Sequence, residues 1–247
     1  FSKSASMEFK YRTRKLVPEF AGLIKITTFH GFCFEMLGQL GDLIKSENVI
    51  RDCINAIRDG IIDITSITNK SVLMLDEVQD INEEEWQLIC AIIEVAGNIR
   101  VVAVGDDDQN IYSFRGSSNK YMNIIRNDEN AVTYDLIKNY RSREGIIEFN
   151  NSILSKIVSR MKEVSLIPAK KTKKAKLSLT KYDGKYMYKP LVDSIAESTL
   201  DGTKAVLVRT NHEALLISTQ LEELGFKTRL LAGFEGFSMS SLYEVKW

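Results

Sequence analysis

Short runs of β-branched and aliphatic residues alternate along the chain with longer stretches whose apolar positions recur at helical spacing. Residues 23–28, 71–75, 100–104, 131–137, 176–180, 205–208 and 228–231 read as strands. The clearest helix is Glu83–Ala96: Asn82 can cap it, Glu85 sits where a capping box needs it, and Gly97 supplies the stop. Its stripe Trp86, Ile89, Cys90, Ile93 has the i, i+3, i+4, i+7 spacing of a core-facing surface. A second helix is expected over residues 212–224, with Ala214, Ile217, Leu221 and Leu224 on one side and Gly225 ending it. Strands alternating with helices predict an α/β fold around a mainly parallel sheet, with ligands beyond the carboxyl ends of the strands.

Polar residues 127–130 are the best candidate linker, dividing the chain into 1–130 and 131–247. Residues 156–176 carry eight basic side chains against the single acidic Glu163, and the second half of that stretch lacks apolar periodicity and reads as an exposed loop. It is either a solvated connector or a phosphate-contacting patch, the connector being the simpler reading. Composition adds limits. At 44% apolar and 27% charged residues the chain is an ordinary globular one, neither disordered nor collagen-like. Its 33 basic residues cancel its 33 acidic ones, so contact with nucleic acid has to come from local patches. Cys33, Cys53 and Cys90 form no CxxC pair, which fits a reducing compartment, and no apolar run approaches membrane-spanning length. A cytoplasmic protein is expected, and the chain, opening at Phe1 and closing at Trp247, reads as part of a longer one.

Two polar clusters follow apolar strands. Asp76-Glu77-Val78-Gln79-Asp80 comes directly after Val72 to Leu75. An aspartate at such a strand end is where a nucleotide-hydrolysing α/β domain holds magnesium, and an adjacent glutamate can orient or deprotonate the attacking water. Alone the cluster is ambiguous, because acidic residues that open a helix also favour its dipole. The second cluster, Gly105-Asp106-Asp107-Asp108-Gln109-Asn110-Ile111-Tyr112-Ser113-Phe114-Arg115-Gly116, puts three aspartates, an amide, two aromatics and an arginine in one loop. Gln109 can bond a terminal phosphate, and Tyr112 and Phe114 offer either flat faces for stacked bases or core packing.

These two segments, 25 residues apart from Asp80 to Gly105, resemble the DExQD and GDxDQxIYxFRG motifs of the UvrD/Rep/PcrA-like superfamily 1 DNA helicases. Other segments follow in that family's order. Residues 1–8 are similar to motif Ia, Thr27-Thr28-Phe29-His30-Gly31 to the GTFHS motif, Asn139-Tyr140-Arg141-Ser142 to the NYRS motif, and residues 206–211 and 221–225 to a strand and helix of the second domain. The resemblance implies RecA-like P-loop NTPase layers, one near-complete domain and part of a second, in a motor that uses ATP and Mg2+ to move on single-stranded DNA and at duplex junctions. It assigns magnesium coordination to Asp76, the catalytic base to Glu77, coupling of nucleotide state to movement to Gln79 and Gln109, an arginine finger to Arg141 and adenine stacking to Tyr140. Phe1, Tyr112 and Phe114 would stack bases, with Thr28 and His30 near the DNA backbone. Outside its motif His30 would remain unassigned, Arg141 beside Tyr140 also fits a surface cation-π pair, and Arg115 equally fits a tie to an acidic neighbour.

The family pattern is incomplete. No GxxxxGK[ST] loop is present, and the second arginine finger is missing as well. A chain without that loop is expected not to turn over ATP by itself. Only 42 residues separate Cys33 from Asp76, which leaves room for a minimal insertion such as a helix over residues 47–58. The competing class is a non-catalytic DNA-binding or scaffold protein that keeps the helicase fold.

Overall fold

The computed structural model describes residues 3–38, 48–111, 118–158, 160–170, 175, 177–182, 184, 186, 188–199 and 201–230. Contacts divide the chain into two compact units, Phe1–Lys176 and Leu177–Trp247. In the first unit the order is α1 (Lys3–Leu16), α2 (Phe29–Leu37), α3 (Val49–Arg58), α4 (Thr65–Thr68), β1 (Val72–Leu75), α5 (Glu83–Ala96), β2 (Arg100–Ala103), α6 (Lys120–Arg126), β3 (Lys138–Asn139), α7 (Glu144–Leu154) and β4 (Ile167–Pro168). The second contains α8 (Tyr188–Ala196) and α9 (Asn211–Glu223).

Instead of one larger sheet, the described residues form two separate two-stranded sheets, each parallel. β1 pairs with β2 from Val72 opposite Arg100 to Leu75 opposite Ala103, and β3 pairs with β4 over two residues. The strands expected at 23–28, 131–137, 177–180, 205–208 and 228–230 form no ladder among the described residues. A β-branched run supplies the side chains of a pleat, but a strand exists only where a second backbone takes up its N–H and C=O groups. Leu207, at 96% exposed, shows an apolar run without a partner surface. The 23–28 segment ends for a local reason. Thr28 is the N-cap of α2 and its hydroxyl accepts the Gly31 N–H at 3.0 Å, so the chain turns into a helix there.

Helix α5 forms as its caps dictate: Asn82 accepts from Glu85 N, Glu85 accepts from Asn82 N, each at 3.0 Å, and Gly97 closes the end at φ 68°. Its buried surface includes most of the expected stripe and a second face beside it. Leu88, Ala91 and Ile92 pack with Cys33, Met36 and Leu37 of α2 and Val49, Ile50, Cys53 and Ile57 of α3, while Ile89, Trp86 and Ile93 face Leu75, Val78 and Tyr121. Cys90 stays half-buried. Two packing partners make α5 apolar over more than one stripe, so the single-face pattern finds the side toward β1 and misses the side toward α2 and α3. Helix α3 occupies the position expected for a short insertion. In the second unit Val192 of α8 packs with Ile217 and Leu221 of α9, whose start carries a Thr210–Glu213 capping box and whose end is closed by Gly225 at φ 87°. His212 sits on its exposed first turn. No helix among the described residues is long and apolar enough to cross a membrane.

Leu88 is fully buried where α5 meets α2 and α3. Leu88→Ala should lower stability by about 2–5 kcal/mol, read as a shift of the denaturant midpoint, whereas Phe34→Ala on the half-exposed face of α2 should cost well under that. Equal losses would show that this helical core is not where the stability resides.

Candidate functional site

The parallel pair β1–β2 delivers two polar loops to one sheet edge. Beyond it Val104 N donates to Leu75 O at 2.8 Å and Val78 N to Val104 O at 3.1 Å, so the loops leave side by side. Asp76 is half-buried and exposed Glu77 follows with φ 55°, the one described non-glycine residue at positive φ. Such a left-handed turn is rare for a side chain with a Cβ and is tolerated where surrounding bonds hold it.

Those bonds come from Gln79, only 2% exposed. Its Nε2 donates to Glu77 Oε2 at 2.7 Å, its Oε1 accepts Asp106 N at 2.9 Å, and its backbone oxygen accepts Asn110 Nδ2 at 3.0 Å. One buried amide therefore ties the two loops together. Gly105 has to be glycine for the same contact: a Cβ there would lie 2.9 Å from Gln79 Oε1 and 3.2 Å from Val78 N and Met122 Sδ. Burial, then the neighbouring Glu77 charge, raises the pKa of Asp76, with the Glu77 N–H bond opposing. A hard cation at that carboxylate would relieve both, so the donor chemistry fits a divalent ion.

The second loop is closed on itself and on a distant segment. Asp106 Oδ2 accepts Gln109 Nε2 at 2.5 Å, and Asp106 Oδ1 accepts Asp108 N at 3.2 Å and is ion-paired to Lys162. Arg160 binds Asp108 in a fork, Nε to Oδ1 and Nη2 to Oδ2, both 2.8 Å. Met161 N donates to Asp107 Oδ2 at 2.5 Å. The three aspartates hold oxygens within 4.8 Å of one another, a spacing that suits a metal ion, yet here Lys162 and Arg160 supply the positive charge. Sequence reading missed both cations: they sit more than 50 residues away, in the first half of a basic run to which sequence alone assigns no role.

A third group lies at the end of β3. Asn139 Oδ1 accepts the N–H groups of Arg141 at 3.0 Å and Ser142 at 2.8 Å, an Asx turn that presents Tyr140 at 80% exposure. A concavity of about 370 Å³ is lined there by Tyr140, Arg141, Arg143, Lys170 and their neighbours. Arg143 is a further cation that sequence reading did not single out, and Lys170 belongs to the basic stretch read as a connector or a phosphate-contacting patch. Among the described residues no hydrogen bond or ion pair joins Tyr140 or Arg141 to the Asp76–Gln109 loops. Thr28 caps α2, and burial raises the pKa of Glu85, opposed by the Asn82 N–H bond and, more weakly, by exposed His30. Phe1, Tyr112 and Phe114 lie outside the described residues, as does Arg115.

Two family models match in tandem: the UvrD/REP helicase N-terminal domain over residues 65–130 and the UvrD-like helicase C-terminal domain over residues 134–245. The chain belongs to the UvrD/Rep helicase family. The N-terminal match contains Asp76, Glu77, Gln79 and Gln109, and the C-terminal match contains Tyr140 and Arg141. Among relatives, ATP-dependent DNA helicase Rep of Buchnera aphidicola subsp. Schizaphis graminum is 37% identical over 86 residues, covering 34% of this chain and 13% of that protein. ATP-dependent DNA helicase PcrA of Leuconostoc citreum is 34% identical over 84 residues, 34% of this chain and 11% of that protein. ATP-dependent DNA helicase srs2 of Schizosaccharomyces pombe is 28% identical over 186 residues, 72% of this chain and 21% of that protein. The UvrD-like chain thus spans 11% to 21% of the length of these three relatives. Its family halves meet near residue 130, whereas its compact units divide after Lys176.

Gly105→Ala should destabilise the UvrD-like chain by about 1–3 kcal/mol, because the added methyl must push Gln79 or backbone aside. A wild-type unfolding midpoint would show that the close approach is not needed. A pH effect is expected from Asp108. The Arg160 fork holds its carboxyl below the ordinary value of 3.8, burial opposing and Lys162 reinforcing, with Asp106 and Asp107 the like charges nearby. An acid kept ionised by the fold stabilises it above that ordinary value, and the contribution disappears as pH falls through the lowered one. Asp108→Asn should therefore be less stable than wild type at neutral pH, with the gap closing below about pH 4. A gap that does not change with pH would refute the assignment.

Proposed function

We propose that this protein is part of an ATP-dependent superfamily 1 DNA helicase or translocase, built on RecA-like P-loop NTPase layers. One observation carries the reading: a carboxylate pair, Asp76 and Glu77, stands at the carboxyl end of the parallel β1–β2 pair and is joined through buried Gln79 to the loop that bears Gln109. In this reading Asp76 holds Mg2+, which when bound neutralises phosphate charge. Glu77, exposed beyond the sheet edge, accepts the proton of the attacking water. Gln79 fixes the Glu77 carboxylate and, through Asp106 N, the position of the Gln109 loop. Gln109 is exposed and can bond the terminal phosphate. Tyr140 offers an uncovered ring to adenine, and Arg141, with Arg143 and Lys170 bordering the same concavity, supplies positive charge for the γ-phosphate.

The DNA track is assigned to Phe1, Tyr112 and Phe114 by stacking and to Thr28 and His30 at the phosphate backbone, with single-stranded DNA as partner and duplex junctions as the place of action. Support comes from the motif order and from the relatives, each named an ATP-dependent DNA helicase. Residues 1–130 form the first motor domain and 131–247 the opening of the second, in a protein that works in the cytoplasm.

The test is Glu77→Gln in a form of the protein that hydrolyses ATP. Hydrolysis should fall by roughly 10²-fold to 10⁴-fold while nucleotide binding is retained, since the amide keeps the size and the bond to Gln79 but takes no proton. Nucleotide binding without any hydrolysis to lose would favour the non-catalytic DNA-binding or scaffold protein instead.

A further inference from the structure

The family motifs do not account for Arg160 and Lys162. Their side chains are 14% and 19% exposed, and the Asp108 and Asp107 side chains they meet are 9% and 2% exposed. Charges are not withdrawn from water to this degree without compensation. Here three carboxylates face two cations: the Arg160 fork saturates Asp108, and the Lys162 ammonium reaches Asp106, Asp108 Oδ2 at 3.3 Å and Asp107 Oδ1 at 3.8 Å. Between them Met161 is pinned on both sides, its N–H by Asp107 and its oxygen by Arg126 Nη1 at 2.6 Å.

Asp106 is the shared member. One oxygen takes Lys162 and the other takes Gln109 Nε2. The lysine therefore fixes the rotamer of the carboxylate that fixes the glutamine. The clamp also joins residues 160–162, within the C-terminal family match, to a loop within the N-terminal match, in keeping with a first compact unit that runs past residue 130 to Lys176.

We propose that Lys162 is a positioning residue that holds Gln109 in its nucleotide-facing orientation through Asp106, that Arg160 anchors the same loop through Asp108, and that together they link the two helicase segments mechanically. This rests on the reading of Gln109 as a phosphate contact. Without Lys162, three crowded carboxylates share one guanidinium, and their repulsion opens the loop. A metal ion is not needed to close it, because the chain carries its own cation.

The decisive variant is Lys162→Met, with Lys162→Arg as its conservative partner. Amide hydrogen exchange is read first, on the 247-residue chain. Gln109 N and Asn110 N, which donate to Asp106 O and Asp107 O, should exchange about tenfold faster or more in Lys162→Met, near wild type in Lys162→Arg, and α5 should be unaffected. Unchanged protection at Gln109 and Asn110 overturns the clamp. If Lys162→Met loosens α5 as well, Lys162→Met with Asp106→Asn removes the cation together with a charge it faced. That double variant should keep α5 protected while Gln109 stays fast, and a protected Gln109 there overturns the proposal equally.

Kinetics then separate positioning from bulk stability. In a form that hydrolyses ATP, Lys162→Met should lower kcat about tenfold with KM for ATP little changed, and adding Gln109→Ala should cost nothing beyond Gln109→Ala alone. Fully additive losses would show that Lys162 does not act through Gln109. An exchange effect in the 247-residue chain, combined with no ATP hydrolysis in a longer form that carries a phosphate-binding loop, would sink the helicase reading and leave the clamp in place.

Discussion

Gln79 has lost its water and needs three protein partners in return. Its amide finds Glu77 on one side and the Asp106 N–H on the other, and its backbone oxygen finds Asn110. A buried amide that lost one of these would cost about 1–3 kcal/mol, so the three bonds hold or fail together. Everything at the sheet edge depends on them: the left-handed turn at Glu77, the glycine at 105 and the placement of the loop that ends in Gln109. The parallel pairing of β1 with β2 brings the two loops to one edge, and Gln79 sets the distance between them.

How much of this was legible in the sequence follows the range of each interaction. The α5 caps were readable because a capping box lies within four residues, and so were β1 and β2, whose apolar runs end in loops that bond each other. Residues 131–137 and 205–208 carry equally good strand composition and form no ladder, because pairing depends on a second backbone that local sequence does not report. Thr28 shows the opposite failure. The β-branched run before it suggested a strand, but its hydroxyl serves the helix that follows.

At the site the same rule separates success from omission. Asp76, Glu77, Gln79 and Gln109 were readable together because motif spacing fixes the two loops relative to their strands, and the structure brings those loops into contact. Tyr140 and Arg141 emerge on their own turn, organised by Asn139 alone. Arg160 and Lys162 were invisible for a physical reason: in sequence an ion pair with a partner over 50 residues away is indistinguishable from a solvated charge. Only burial tells the two apart.

The acidic residues of the two loops consequently divide into two kinds. Asp106, Asp107 and Asp108 share two internal cations, and most of their charge serves the shape of the loop. Asp76 and Glu77 have no cation among the described residues beside them, and the like charge between them contributes to raising the Asp76 pKa. A protein needing negative charge only to open a helix, as Glu83, Glu84 and Glu85 do for α5, would gain nothing from crowding two carboxylates at a strand end with one of them in a left-handed turn. An uncompensated pair, one member held by a buried amide, is the arrangement that the proposed cation and activated water would need.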